Sequence, residues 1–198
     1  MSISLQKGQK ISLTKDENGN DRGLDKVIVG LGWDAAKKGL FGKTIDCDAS
    51  VLMLENGKLT NFKKDVVYYG NTKHSSKSVK HSGDNLTGDG DGDDEQIIIK
   101  LNQVPDEYDK LVIVVNIYQA HSKKQDFGLI KNAYMHIFDA DTNEELVRYN
   151  LTDDYAGKTA VVVGEIYRKN GEWKVNAIGQ GTTDDSIRDL AERYIQPR

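Results

Sequence analysis

The run Leu111-Val-Ile-Val-Val115 is apolar at every position. Successive side chains of a strand point to opposite faces, so a strand written this way has no face it can leave in water. It requires cover on both sides, and therefore a second layer. The rest of the chain supplies that layer in the same currency, short β-branched and aromatic runs broken by Gly, Asn and Asp. Candidate strands fall at 10–13, 26–31, 44–54, 60–69, 96–101, 111–118, 131–138, 145–151, 160–168 and 172–178. Asn56-Gly57 and Asn170-Gly171 each lie between two such runs, and that dipeptide accepts the positive φ values of a tight hairpin. The pattern predicts a mainly β fold, an antiparallel β-sandwich of two sheets. Ile187, Leu190, Ala191, Tyr194 and Ile195 then form one helical stripe, preceded by Thr183, Asp184 and Asp185 as capping candidates. A C-terminal helix covering part of a sheet is expected. With 198 residues, two prolines and no repeat, one domain spanning 1–198 is the simplest organisation.

Charge is concentrated in one place. Residues 83–95 read Gly-Asp-Asn-Leu-Thr-Gly-Asp-Gly-Asp-Gly-Asp-Asp-Glu, six carboxylates without a Lys or Arg. The formal net charge is -4, and without those six it would be +2. Such balance elsewhere excludes a broad basic nucleic-acid face, and a hydrophobic content of 37% excludes an acidic disordered tail. Carboxylates packed this closely repel unless a cation or bulk water separates them. A solvated loop is the plain alternative. A loop rich in oxygen donors and glycine suits the six to eight ligands of calcium, and it offers zinc neither thiol nor imidazole. The EF-hand template fails: counting from Asp89 puts Asp94 at position six and Lys100 at position twelve, where Gly and Glu are required. Asp46 and Asp48 flank Cys47 in a candidate strand, which sends both acids to one face and the cysteine to the other. Asp25 and Asp34 bracket the preceding strand as weaker candidates.

Other features exclude chemistry more than they suggest it. Cys47 is the single cysteine, so neither a disulfide within the chain nor a thiol pair is available, which fits a reducing compartment. The first residues lack the apolar core of a signal peptide and no run could span a bilayer, so a cytoplasmic location without direct membrane insertion is expected. Gly30-Leu-Gly32 lacks the third glycine of a phosphate-binding turn, and no nucleophile motif appears. The chain reads as a non-enzyme, with no catalytic residues. His74 and His81 with Lys73, Lys77 and Lys80 read as a solvated basic loop, the alternative being an anion or nucleotide site beside bound calcium. His121 and His136 read as structural.

Four motifs in order, Val29-Gly-Leu-Gly-Trp-Asp34, Ile45-Asp-Cys-Asp-Ala-Ser50, Gly83-Asp-Asn-Leu-Thr-Gly88 with its acidic continuation, and Gly164-Glu-Ile-Tyr-Arg168, resemble the TerD family over nearly the whole chain. The resemblance implies a calcium-binding β-sandwich of bacterial tellurium-resistance and general stress proteins. By position it marks Asp25, Asp46, Asp48, Asp84, Asp91, Asp93, Asp94 and Glu95 as side-chain ligands of two calcium ions, with Leu86 contributing its carbonyl. It implies partners among other tellurium-resistance or stress proteins, some of them membrane-associated, and no nucleic acid. Three roles follow in order of preference: a calcium-dependent scaffold or sensor in such a complex, a calcium-dependent nucleotide or phosphate binder, and a metal-assisted hydrolase.

Overall fold

The computed structural model describes residues 2–35, 45–82 and 93–195. Its strands, in chain order, are β1 (Ile3–Leu5), β2 (Lys10–Ser12), β3 (Lys26–Ala35), β4 (Cys47–Leu54), β5 (Val66–Val67) and β6 (Val79–His81), followed by β7 (Glu95–Lys100), β8 (Lys110–Ile117), β9 (Ile130–Asp139), β10 (Glu145–Asn150), β11 (Ala160–Lys169) and β12 (Glu172–Thr182). Short helices α1 (Phe62–Asp65), α2 (Ala120–Lys123) and α3 (Ile187–Glu192) complete the regular structure with two 3₁₀ turns.

Two six-stranded sheets form, one ordered β1-β10-β9-β3-β7-β6 and the other β2-β12-β11-β8-β4-β5. Pairing is antiparallel except between β1 and β10, which run parallel. The apolar run opens β8, third from the edge of its sheet. Leu111, Ile113 and Val115 point into the core between the sheets, while Val112 and Val114 point out into a second cluster with Leu52, Leu54, Ile187, Leu190 and Ala191. Helix α3 is the outer cover that β8 requires. Each Val, Leu or Ile side chain so removed from water contributes about 1.5–3 kcal/mol. The helix starts at Ser186, whose hydroxyl accepts from Asp189 N–H, one residue beyond the expected caps. Ile195, the last residue of the stripe, is exposed.

Asn170-Gly171 closes the β11–β12 hairpin with both residues at positive φ, and Asn56-Gly57 makes the same turn at the end of β4. Two expectations are corrected, and two short strands are added. Residues 60–69 are not a continuous strand: Asn61 caps the four-residue α1, because its side chain accepts from Lys64 N–H, and only Val66–Val67 pairs with β4. The short strands β1 and β6 were not expected from sequence. His74 and His81 do not belong to a solvated loop, since both are 2% exposed. No helix among the described residues is long and apolar enough to cross a membrane.

Candidate metal centre

The end of β7 where Glu95 lies meets the start of β4, where Cys47 lies, at one end of the sandwich. The described chain also leaves at Ala35 and Ser82 and re-enters at Ile45 and Asp93. The acids gathered there fan out over different faces. Asp93 lies on the outer face of the β3 sheet, where it accepts from Gln96 Nε2 at 3.0 Å and pairs with His136 Nε2. Gly30 makes that seat, for a Cβ there would fall 2.1 Å from Asp93 Oδ2 and 2.4 Å from His136 Nε2. Gly32 does the same for the ring of Tyr134. Burial pushes the Asp93 carboxyl upward, but hydrogen bonds from His136 and Gln96 outweigh it and hold Asp93 below the ordinary carboxylate range. On its other nitrogen His136 meets Glu145 at 3.1 Å, so it stands between two acids.

Asp94 turns toward β3 and accepts from the Trp33 backbone N–H at 2.7 Å through Oδ2. Among the described residues its Oδ1 accepts no hydrogen bond. It is 7% exposed. Burial first, and then the neighbouring charges of Asp93, Glu95 and Asp34, raise its pKa to about 6 despite the Trp33 bond. Glu95 points inward beside Ile97 and Ile99, and its Oε2 lies 2.9 Å from His81 Nε2 with both side chains about 1% exposed.

Cys47 sits between these acids and the Asp46 and Asp48 pair. Its thiol is pushed well above the ordinary range, by burial first and then by the charges of Asp48, Asp46, Asp94 and Glu95. Four of the expected ligands therefore act on one buried sulfur. Asp48 stands on the outer face of β4 opposite Asn116 of β8, and Asp46, just before the strand, approaches Lys123 Nζ at 3.8 Å. Asn116 Oδ1 and Ser50 Oγ, on the same face as Asp48, are buried without a hydrogen-bond partner among the described residues. Both are hard oxygen donors of the kind calcium takes. Asn116 escapes a sequence reading because nothing near it in the chain is acidic; only strand register brings it to Asp48.

Not every expected ligand joins. Asp25 precedes β3 at the end opposite Asp94, exposed beside Lys26 and Lys100, about 20 Å away by strand rise. Asp84, Leu86 and Asp91 lie outside the described residues. Among the described residues no three His, Cys, Asp or Glu side chains stand close enough to hold a metal by themselves. His136 and His81, read from sequence as structural or solvated, hold Asp93 and Glu95 in place. A visible signal for His136 was the glycine at alternate positions of β3, which opens room on one sheet face.

A family model, the TerD domain, matches residues 1–194. The chain belongs to the TerD family. It is 52% identical to stress response protein SCP2 of Bacillus subtilis (strain 168) over 98% of this chain and all of that protein. It is 45% identical to tellurium resistance protein TerD of Serratia marcescens over 91% of each. A solved structure of a homologue of telluride resistance protein (TerD) from Streptomyces coelicolor A3(2) superposes with a TM-score of 0.67 at 20% identity, covering 88% of this chain and 100% of that one. The last likeness is one of fold.

Proposed function

We propose that this TerD-family chain is a calcium-binding stress-response protein of the cytoplasm, non-catalytic, that takes two calcium ions and works as a scaffold or sensor. Its partners are other tellurium-resistance or stress proteins, some of them membrane-associated. The observation that carries this reading is Asp94, a buried carboxylate among three like charges, with one oxygen fixed by Trp33 N–H and the other accepting nothing among the described residues. Such a group is costly to ionise alone and inexpensive to ionise beside a divalent cation. Asp48 with Asn116 Oδ1, unpartnered among the described residues, offers a second set of oxygens at the same end of the fold. The remaining ligands are expected from residues 83–92. Asp93 and Glu95 are oriented by His136 and His81, as carboxylates that ligate a metal are commonly held by neighbouring hydrogen-bonding groups. Calcium, once bound, neutralises the acidic end of the sandwich and gives it a defined surface for a partner. The relatives' names, stress response and tellurium resistance, support the setting.

Thermal melting in calcium against chelator tests this. Calcium at about a hundred times its dissociation constant adds about 2.7 kcal/mol, a rise of roughly 5–10 °C for a chain of this size. A melting temperature unmoved by millimolar calcium would overturn the reading, as would an unchanged rise in the double variant Asp93→Asn with Asp94→Asn.

A further inference from the structure

On the outer face of the β3 sheet, away from the acidic end, lies a cleft of about 390 Å³ into which Lys26, Lys73, Lys77, Lys80 and Lys100 converge. Its apolar part is made by the half-buried Ile28 and Ile98 with Ala140. Strand register assembles the cluster: Lys26 stands opposite Lys100, Ile28 opposite Ile98, Lys80 opposite Ile98, and Lys73 bridges to Lys80. Among the described residues only Lys26 has a counter-charge, Asp141 at 2.9 Å. Among the described residues no carboxylate lies within ion-pair distance of the other four.

Two details mark the cleft as built for an anion. Like charges placed directly across a ladder destabilise a sheet, yet Lys73 and Lys80 face each other. Lys77 holds φ 64°, a left-handed conformation unusual for a side chain of its size, in a turn closed by its N–H on the His74 carbonyl at 2.8 Å. The buried His74 ring and the Ser76 and Ser78 hydroxyls, linked at 2.6 and 2.7 Å, stiffen that turn. The lysine is thus presented on a fixed support. Asp93 does not compete for these cations, because its carboxylate is held over Gly30 by His136 and Gln96.

We propose that this cleft binds an oligophosphate, a linear chain of two or more phosphoryl groups, through its lysines and independently of calcium. Several ammonium groups spread along a concave wall match a ligand whose charges are also spread, and they focus the field on it. The isoleucine floor has room for an apolar or aromatic body beside the phosphates.

Calorimetric titration of the full chain with tripolyphosphate and, in parallel, ATP tests this, with chelator present so that no metal bridges ligand and acidic segment. Binding is expected to weaken steeply with added salt, and to fall by roughly tenfold or more in the Lys73→Ala, Lys80→Ala variant. That variant removes a repelling pair, so its melting temperature should not fall. The control Lys58→Ala, Lys169→Ala, at exposed lysines outside the cleft, should bind as the parent does. Tighter binding of ATP assigns the ligand as a nucleotide; equal binding assigns a free oligophosphate. No heat up to millimolar ligand, or the same affinity in both double variants, overturns the proposal. Because chelator is present throughout, that failure would leave the calcium reading untouched.

Discussion

The Asp93 carboxylate and the His136 ring meet above Gly30, within the volume a side chain at that position would occupy. Gly30 is not at a positive φ, so its requirement is steric and not conformational. Gly30→Ala should therefore act through displacement: the new methyl pushes Asp93 off His136 and Gln96, at a cost of about 1–3 kcal/mol. The expected outcome is a lower melting temperature in chelator and a smaller calcium-induced rise. An alanine variant with parental values for both would show that the Asp93 seat has no bearing on metal binding.

Asp94 gives a pH signature whose sign is fixed. Its pKa in the fold is about 6, above the ordinary 3.8, so the folded state prefers the protonated acid. That preference stabilises the fold fully below about pH 4 and is lost as pH rises through 6. In chelator the parent should gain on Asp94→Asn by up to about 3 kcal/mol between pH 7 and pH 4, since other groups cancel in the comparison. Urea denaturation of the two proteins across that range measures it. Calcium at neutral pH should remove most of the penalty in the parent alone. A flat difference between the proteins would mean that Asp94 ionises as freely as a surface acid.

What the sequence showed and what it hid have the same cause. The Leu111–Val115 run and the Ile187–Ala191 stripe were legible because each is a periodic apolar pattern, and the two proved to be cover for one another. The strand expected at 60–69 was not legible because a single side chain, Asp65, reorganises it from inside. Asp93, Asp94 and Glu95 were legible as an acidic group but not as three differently aimed residues, since the start of β7 turns Glu95 inward while Asp93 stays over the outer face. The partners of Asp93 and Glu95, His136 and His81, lie 43 and 14 residues away along the chain, and Asn116 lies 68 residues from Asp48, where only register reveals them.

Asp65 is fully buried and accepts from Tyr108 Oη at 2.6 Å, Thr60 Oγ1 at 2.8 Å and Asn61 N–H at 3.0 Å. Asp65→Ala leaves those donors unsatisfied in the interior, which should cost about 3 kcal/mol, or roughly 6–12 °C in melting temperature. Tyr108→Phe removes one bond of the set and should cost about 1–2 kcal/mol. The double variant should cost less than the sum, because both changes break the same contact. Strict additivity in denaturant melts would mean the contact contributes nothing beyond its parts.

Cys47 is the one thiol, and burial with four neighbouring carboxylates suppresses its thiolate. Thiolate is the reactive form, so the folded protein should resist a disulfide reagent by at least about a hundredfold in rate against the urea-unfolded chain. Labelling should then report on opening of the β4 and β7 end of the sandwich. If calcium bridges that end, adding it should slow labelling further, because opening must first release the ion. Rapid modification of the folded chain would place the thiol in reach of solvent and reopen a redox role at this position; slow labelling that calcium leaves unchanged would separate the cysteine from the metal centre.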